Sequence, residues 1–351
     1  MGKSITGDSG RKNYEIEGMW SLPEGAVPAL IQRVKQTTGV TFDVSHPCSI
    51  YLCPPHHVGR PLPRSFNPLQ IVEEGFSLRD RPGSISSDGE IFPSVFTWKK
   101  FAPKATDRFQ QAARAANVRH QLLIRREVEI PYGDRVHTTN GTIVVPRSVF
   151  HQFPKALKEI VAQGDGDMGV VGMTLVDRCR FYTPFSLNQL DGENFLNSLK
   201  SPKNKAGIRH HLEDSRFGVW ETSLEMIHEL IPGPGFNVAE VEHLTSRQNI
   251  QRLGLRGVIA ELTQRQLAVV VGPPREGVEH ELISETTISD KHLARASYAN
   301  LAFIARQLDL DAEDLPASSS KAMGMMLARC AHDDHFKLYL KKAQLLAPTA
   351  A

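Results

Sequence analysis

The sequence predicts an α+β protein, with a β-meander-containing N-terminal half followed by a mostly α-helical C-terminal half. Three observations carry that expectation. Residues 120–146 read as strands separated by tight turns, with Asn140-Gly141 supplying a strong short hairpin signal. From 186 onward, apolar residues recur at helical spacing over 186–199, 217–231, 238–252, 256–268, 290–308 and 319–342. A chain of 351 residues with 40% hydrophobic and 23% charged residues can bury a sizeable core.

Residues 1–13 are polar and basic and read as a flexible arm. Residues 14–184 form the expected mixed domain. Its first helix spans about Glu24 to Thr38, with Val27, Leu30, Ile31 and Val34 on one stripe and Gly39 at its end. A strand is expected at Cys48–Leu52. The stretch 53–93 holds seven prolines and reads as one long irregular loop. Thr106 caps a helix that Asn117 ends, and His120–Ile130 opens a three-stranded meander. A helix follows around Lys155–Ala162, and Met168–Phe181 is β-branched and apolar enough for one long strand or two short ones. Residues 185–351 are the expected helical domain. Pro232-Gly233-Pro234-Gly235 breaks it, and Asn237 with Glu240 reopens a helix as a capping box.

No stretch has the roughly 18 apolar residues of a membrane-spanning helix, and the polar start lacks a secretory pattern. Four cysteines in a chain this long make no disulfide framework, so a cytoplasmic location is expected. No phosphate loop, dinucleotide fingerprint, nucleophile elbow or H-E-x-x-H motif is present.

Two clusters hold metal-ligating residue types. His46, Cys48, Cys53, His56 and His57 lie within twelve residues, but Cys48 and Cys53 differ by an odd number and face opposite sides of a strand. Cys330, His332, Asp333, Asp334 and His335 place two histidines one helical turn apart. We assign neither a metal nor a cofactor to them. His292-Leu293-Ala294-Arg295, then His332 and Tyr339, resembles the closing order of tyrosine recombinases, which implies Tyr339 as a nucleophile toward a DNA phosphate. The resemblance covers only the closing part of the chain. With Arg256 as the family's other arginine, too little chain remains before His292 for the family's lysine-bearing sheet. The Gly254 junction reads as a helix-turn-helix, with Arg256 opening its second helix.

Charge is unevenly spread. Residues 1–220 carry a formal net charge of +6 and residues 221–351 one of −4. Stretches 44–72, 91–106, 135–158 and 194–212 contain no acid. Cations interleaved with aromatics suit a nucleic-acid backbone. The expected contacts are Lys99, Lys100, Lys104, Arg125, Arg126, Arg135, Arg147, Lys200, Lys203, Lys205 and Arg209. The function expected from these features is a non-enzymatic nucleic-acid-associated protein that self-associates, such as a coat, nucleoprotein or ribonucleoprotein subunit. The alternatives are a metal-dependent hydrolase or nuclease using a His/Cys/Asp cluster, and a sequence-specific DNA-binding or recombinase-like protein.

Overall fold

The computed structural model describes residues 14–53, 77–81, 84–85, 91–92, 94–101, 103–117, 123–132, 136–137, 142–145, 147–153, 158–159, 162, 166–186, 217–282 and 290–315. Strand β1 (Tyr14–Ser21) leads into α1 (Ala26–Thr38), which ends on Gly39 in the left-handed region. The short β2 (Asp43–Ser45) and β3 (Cys48–Cys53) come next. They are followed by β4 (Ser77–Arg81), β5 (Ser84–Ile85), β6 (Ile91–Phe92) and β7 (Ser94–Phe101). Helix α2 (Pro103–Ala115) precedes β8 (Leu123–Tyr132), β9 (Val136–His137) and β10 (Thr142–Val144). After α3 (Arg147–Phe150) run two long strands, β11 (Asp167–Ser186) and β12 (Phe217–Pro232). Helices α4 (Val238–Leu244) and α5 (Arg247–Gln264) lead to β13 (Ala268–Val270), β14 (Arg275–Leu282) and α6 (Asp290–Gln307).

The sheet runs β12-β14-β1-β8-β7-β4-β3-β11, and β11 then pairs with β12. An antiparallel sheet of eight strands therefore closes on itself, which removes its edges. Strand β2 adds to β11 alongside β3, β13 extends from β12, and the β9–β10 hairpin hangs on the start of β11.

Two apolar layers cover the outside of this barrel. One seats Trp20, Trp220, Leu224 and Val278 against Leu30 and Val34 of α1, Phe109 of α2 and Leu293, Leu301 and Ile304 of α6. The other packs Ile50, Phe96, Ile130, Met173 and Leu175 with Val238 and Val241 of α4 and with Ile250, Val258 and Leu262 of α5. Fully burying one such side chain contributes about 1.5–3 kcal/mol, so the outer faces of the strands hold the barrel to its helices.

The α+β class stands, as do α1, the strand at Cys48 and one long strand from Asp167. Helix α2 ends where expected, with Asn117 at φ 57°. Asn237 caps α4, its Oδ1 accepting from the Glu240 amide at 3.2 Å.

Three expectations are corrected. Segment 217–231 is a strand, so the C-terminal half supplies three strands as well as helices. Glu221, Glu225 and Glu229 explain the misreading: a spacing of four marks one face of a helix, but being even it also marks one face of a strand. The irregular loop expected at 53–93 contains β4, a stave of the barrel. The meander at 120–146 is split, because β8 pairs with β1 and β7 while β9 and β10 pair with each other. Cys48 is buried in the apolar layer beside Ile50. Position 184/185, where the sequence suggested a domain boundary, falls inside β11, which pairs with β12 from Met173↔Leu230 to Ser186↔Phe217. Of the expected helical segments, 187–199 and 319–342, and most of the helix expected at 155–162, lie outside the described residues.

Candidate functional site

Side chains alternate across a strand, so each outward apolar position fixes an inward neighbour. On β12, Trp220, Thr222 and Leu224 share the outer face, which leaves Glu221, Ser223, Glu225, Ile227 and Glu229 for the lumen. Across the ladder, β11 places Val176, Arg178, Arg180 and Tyr182 on that inner face. Strand β14 adds Arg275, Glu279 and Glu281, β1 adds Glu17, and β2 adds Asp43 opposite Arg180. The wall of the barrel is thus apolar outside and charged inside.

The arginines are held by carboxylates. Arg178 Nε donates to Glu225 Oε1 at 2.5 Å, and a second nitrogen lies 3.6 Å from Glu279. Arg180 reaches Asp43 at 3.0 Å and Glu221 at 3.2 Å. Arg275 donates twice to Glu229, at 2.9 and 2.5 Å. Burial opposes the Arg178 charge, but Glu225, Glu279 and Glu221 outweigh it and raise its pKa. Tyr182 is pushed up to about 12, first by burial and then by the Glu221 charge. The Arg180 Nε is buried and takes no hydrogen bond among the described residues, so this guanidinium has a donor to spare.

On the strands β1, β2, β11, β12 and β14 the inner face sets Arg178, Arg180 and Arg275 among Glu17, Asp43, Glu221, Glu225, Glu229, Glu279 and Glu281, and the register places positions 79, 81, 99, 125, 127 and 129 of β4, β7 and β8 on the same face. Glu17 is 1% exposed and Glu225 3%. Charges this confined cost several kcal/mol each to desolvate, and the arginine–carboxylate pairs recover part of that cost. Among the described residues, no three of His, Cys, Asp or Glu are grouped to hold a metal by themselves.

The expected basic contacts are placed unevenly. Lys99 and Lys100 lie on β7 and Arg125 and Arg126 on β8, with Lys99 in register with Glu127, Arg125 with Glu15, and Lys100 with Arg126. Lys104 falls in α2, and Arg147 is exposed at the start of α3. Arg135, Lys200, Lys203, Lys205 and Arg209 lie outside the described residues, as do His56, His57 and the cluster at 330–335. His46 stands on the outer side, its Nδ1 3.3 Å from Asp177. That close approach of His46, opposed by burial and helped by the charges of His46, His228 and Arg256, lowers the Asp177 pKa. Burial also lowers the pKa of His228. Of the recombinase-like set, Arg295 is exposed on α6, and His332 and Tyr339 lie outside the described residues. Gly254 does bend α5, with φ 70° and ψ 161°, and Leu255, Val258 and Leu262 beyond it are buried in the core.

None of the lumen carboxylates was singled out from sequence. The available signal was period two: Glu15-Ile16-Glu17, Arg178-Cys179-Arg180 and Glu279-His280-Glu281 each place like charges on one face of a strand. Part of the charge asymmetry between the two halves is also satisfied internally, since Arg178 and Arg180 meet Glu221, Glu225 and Glu279 across the barrel wall.

Neither the protein-family models nor the curated proteins compared with the chain match it. Among solved structures, it is similar to the S. pombe Pct1 RNA triphosphatase in complex with the Spt5 CTD, at 9% identity and a TM-score of 0.24, covering 97% of this chain and 88% of that one. A likeness at that TM-score shows neither fold nor function for this chain.

Proposed function

We propose that the barrel lumen binds a phosphate-bearing chain end together with a divalent cation, and that the protein is a cation-dependent phosphohydrolase. The observation that supports this is the inverted wall, apolar outside and lined inside by Arg178, Arg180 and Arg275 among carboxylates. Guanidinium groups match phosphate oxygens in geometry and keep their charge at any working pH. Carboxylates stand beside these arginines on the inner face, so a bare polyphosphate would meet negative as well as positive charge. Mg²⁺ is commonly held by one or two carboxylates plus the substrate's own phosphates, which suits a site without a preformed cage. A bound cation would supply Lewis acidity toward the phosphoryl oxygens. Water adds to the terminal phosphorus, the bond from that phosphorus to the bridging oxygen breaks, the shortened phosphate chain keeps that oxygen, and the proton from the water passes to solvent as orthophosphate leaves. Arg178 and Arg180 stabilise the charge that develops, from positions already fixed by Glu225, Glu221 and Asp43.

The test is phosphate release from tripolyphosphate and from nucleoside triphosphates, with Mg²⁺ or Mn²⁺ and with chelator. Cation-dependent release that Glu225→Gln and Arg178→Ala both abolish is the expected result. No release, or release indifferent to both substitutions, refutes the proposal.

A nucleic-acid-associated assembly role is the second reading, favoured by the exposed Arg147 and the acid-free stretches of the sequence. It predicts a large, nuclease-sensitive species rich in 260 nm absorbance on size-exclusion chromatography. A clean monomer or dimer without nucleic acid removes it.

A further inference from the structure

Strand β14 carries its two lumen carboxylates on either side of His280, which points the other way. That histidine is 0% exposed and sits in a fully buried polar network between the barrel wall and α6. Its Nε2 lies 2.8 Å from the Ser297 hydroxyl, and its Nδ1 lies 3.1 Å from the Asn300 amide nitrogen. The same amide nitrogen donates to Thr222 Oγ1 on β12 at 2.9 Å. The rings of Trp20 and Trp220 flank the imidazole, each with its centroid at 4.6 Å. Gly18, His280 and Thr222 stand in one row across β1, β14 and β12.

A polar network this deep is costly unless its members are satisfied, and an apolar residue at 280 would fill the same layer without that cost. What the network adds over apolar packing is direction. Hydrogen bonds at both ring nitrogens fix the imidazole in rotation and in height along the strand, which apolar contact does not. Because β14 is pleated, a shift or twist at 280 carries directly into the backbone of 279 and 281.

We propose that His280 is a positioning residue, which through Ser297, Asn300 and Thr222 fixes Glu279 and Glu281 at the inner wall for cation binding. This rests on the reading of the lumen as a cation and phosphate site. Outer-shell partners of metal-binding groups act in this way, and losing one typically weakens metal binding about 10–100-fold.

The experiment uses the full chain carrying His280→Ala, His280→Gln or Ser297→Ala, with two readouts. Hydrogen exchange of the β14 amides reports positioning whether or not the lumen binds a cation. Direct titration with Mn²⁺, followed by its electron paramagnetic resonance signal, reports the consequence. The expected result is faster exchange confined to β14 and α6, with Mn²⁺ affinity about tenfold weaker in His280→Ala and partly restored in His280→Gln. If His280→Ala does not fold, Ser297→Ala removes one hydroxyl and carries the same test at smaller amplitude. Unchanged exchange at 275–282 in the folded variants overturns the positioning role. Local loosening with unchanged Mn²⁺ affinity overturns it too, leaving His280 a packing residue. A wild-type protein that binds no Mn²⁺ refutes the lumen reading instead, and the exchange data still separate that failure from a failure of His280 to order β14.

Discussion

The two faces of β12 belong to different problems. Outward, Trp220, Leu224 and Leu230 are buried against helices or neighbouring strands, where apolar area removed from water stabilises the fold. Inward, Glu221, Glu225 and Glu229 are partly or fully buried charges, each tied to an arginine of a neighbouring strand. Replacing such pairs with apolar residues of similar volume is often neutral or stabilising, so stability alone gives no reason to keep them. The contrast teaches that the outer face makes the barrel and the inner face gives it something to do.

That contrast can be broken from either side. Leu224→Ala on the outer face should destabilise the protein by about 3 kcal/mol through a cavity under α1 and α6, read as a lowered denaturant midpoint. Phosphate release per folded molecule should stay near wild type. Glu225→Gln on the inner face should abolish phosphate release even per folded molecule, and it also lowers the melting temperature because Arg178 keeps its charge with one carboxylate fewer. If the two variants show the same pattern, the division between the faces is wrong.

Smaller effects sharpen the comparison away from the lumen. Gly254 bends α5 at a φ of 70° and a ψ of 161°, a region nearly closed to residues with a side chain. Nothing lies within 4 Å of an added Cβ, so Gly254→Ala should cost about 1–3 kcal/mol through backbone strain alone, measured by urea unfolding. Asn237→Ala removes the cap of α4 and should cost about 1 kcal/mol by the same measurement.

The pH response should come from the outer side. Burial holds the His228 pKa below its ordinary 6.5, so as pH falls through 6.5 the unfolded chain takes up a proton that the folded chain still refuses. Stability is therefore lost toward the lower folded value. Asp177, lowered below 3.8 first by the close approach of His46, contributes stability that is complete above 3.8 and lost as pH falls further. Melting temperatures followed downward from neutral pH should decline in both windows, and His228→Gln should flatten only the first.

Much of the local structure was legible because its signals are local. The stripe of α1 with Gly39 behind it, Asn117 closing α2, Asn237 capping α4 and the paired β9–β10 strands all lie within a few residues of their causes. Segment 217–232 was not legible, since glutamates four apart satisfy both helix and strand periods, and only pairing with β11 and β14 decides between them.

The amino-acid order by itself determined the class of the fold, the ends of several helices and the even spacing of like charges at 15/17, 178/180, 221/225/229 and 279/281. Only the tertiary structure decided that those charges meet. Arg178 lies 47 residues from Glu225, and Arg180 lies 137 residues from Asp43. Closure of the sheet through β11 and β12 gives each strand an inside and an outside. A strand's pleat says which residues share a face, but only the closed barrel says which face is the lumen.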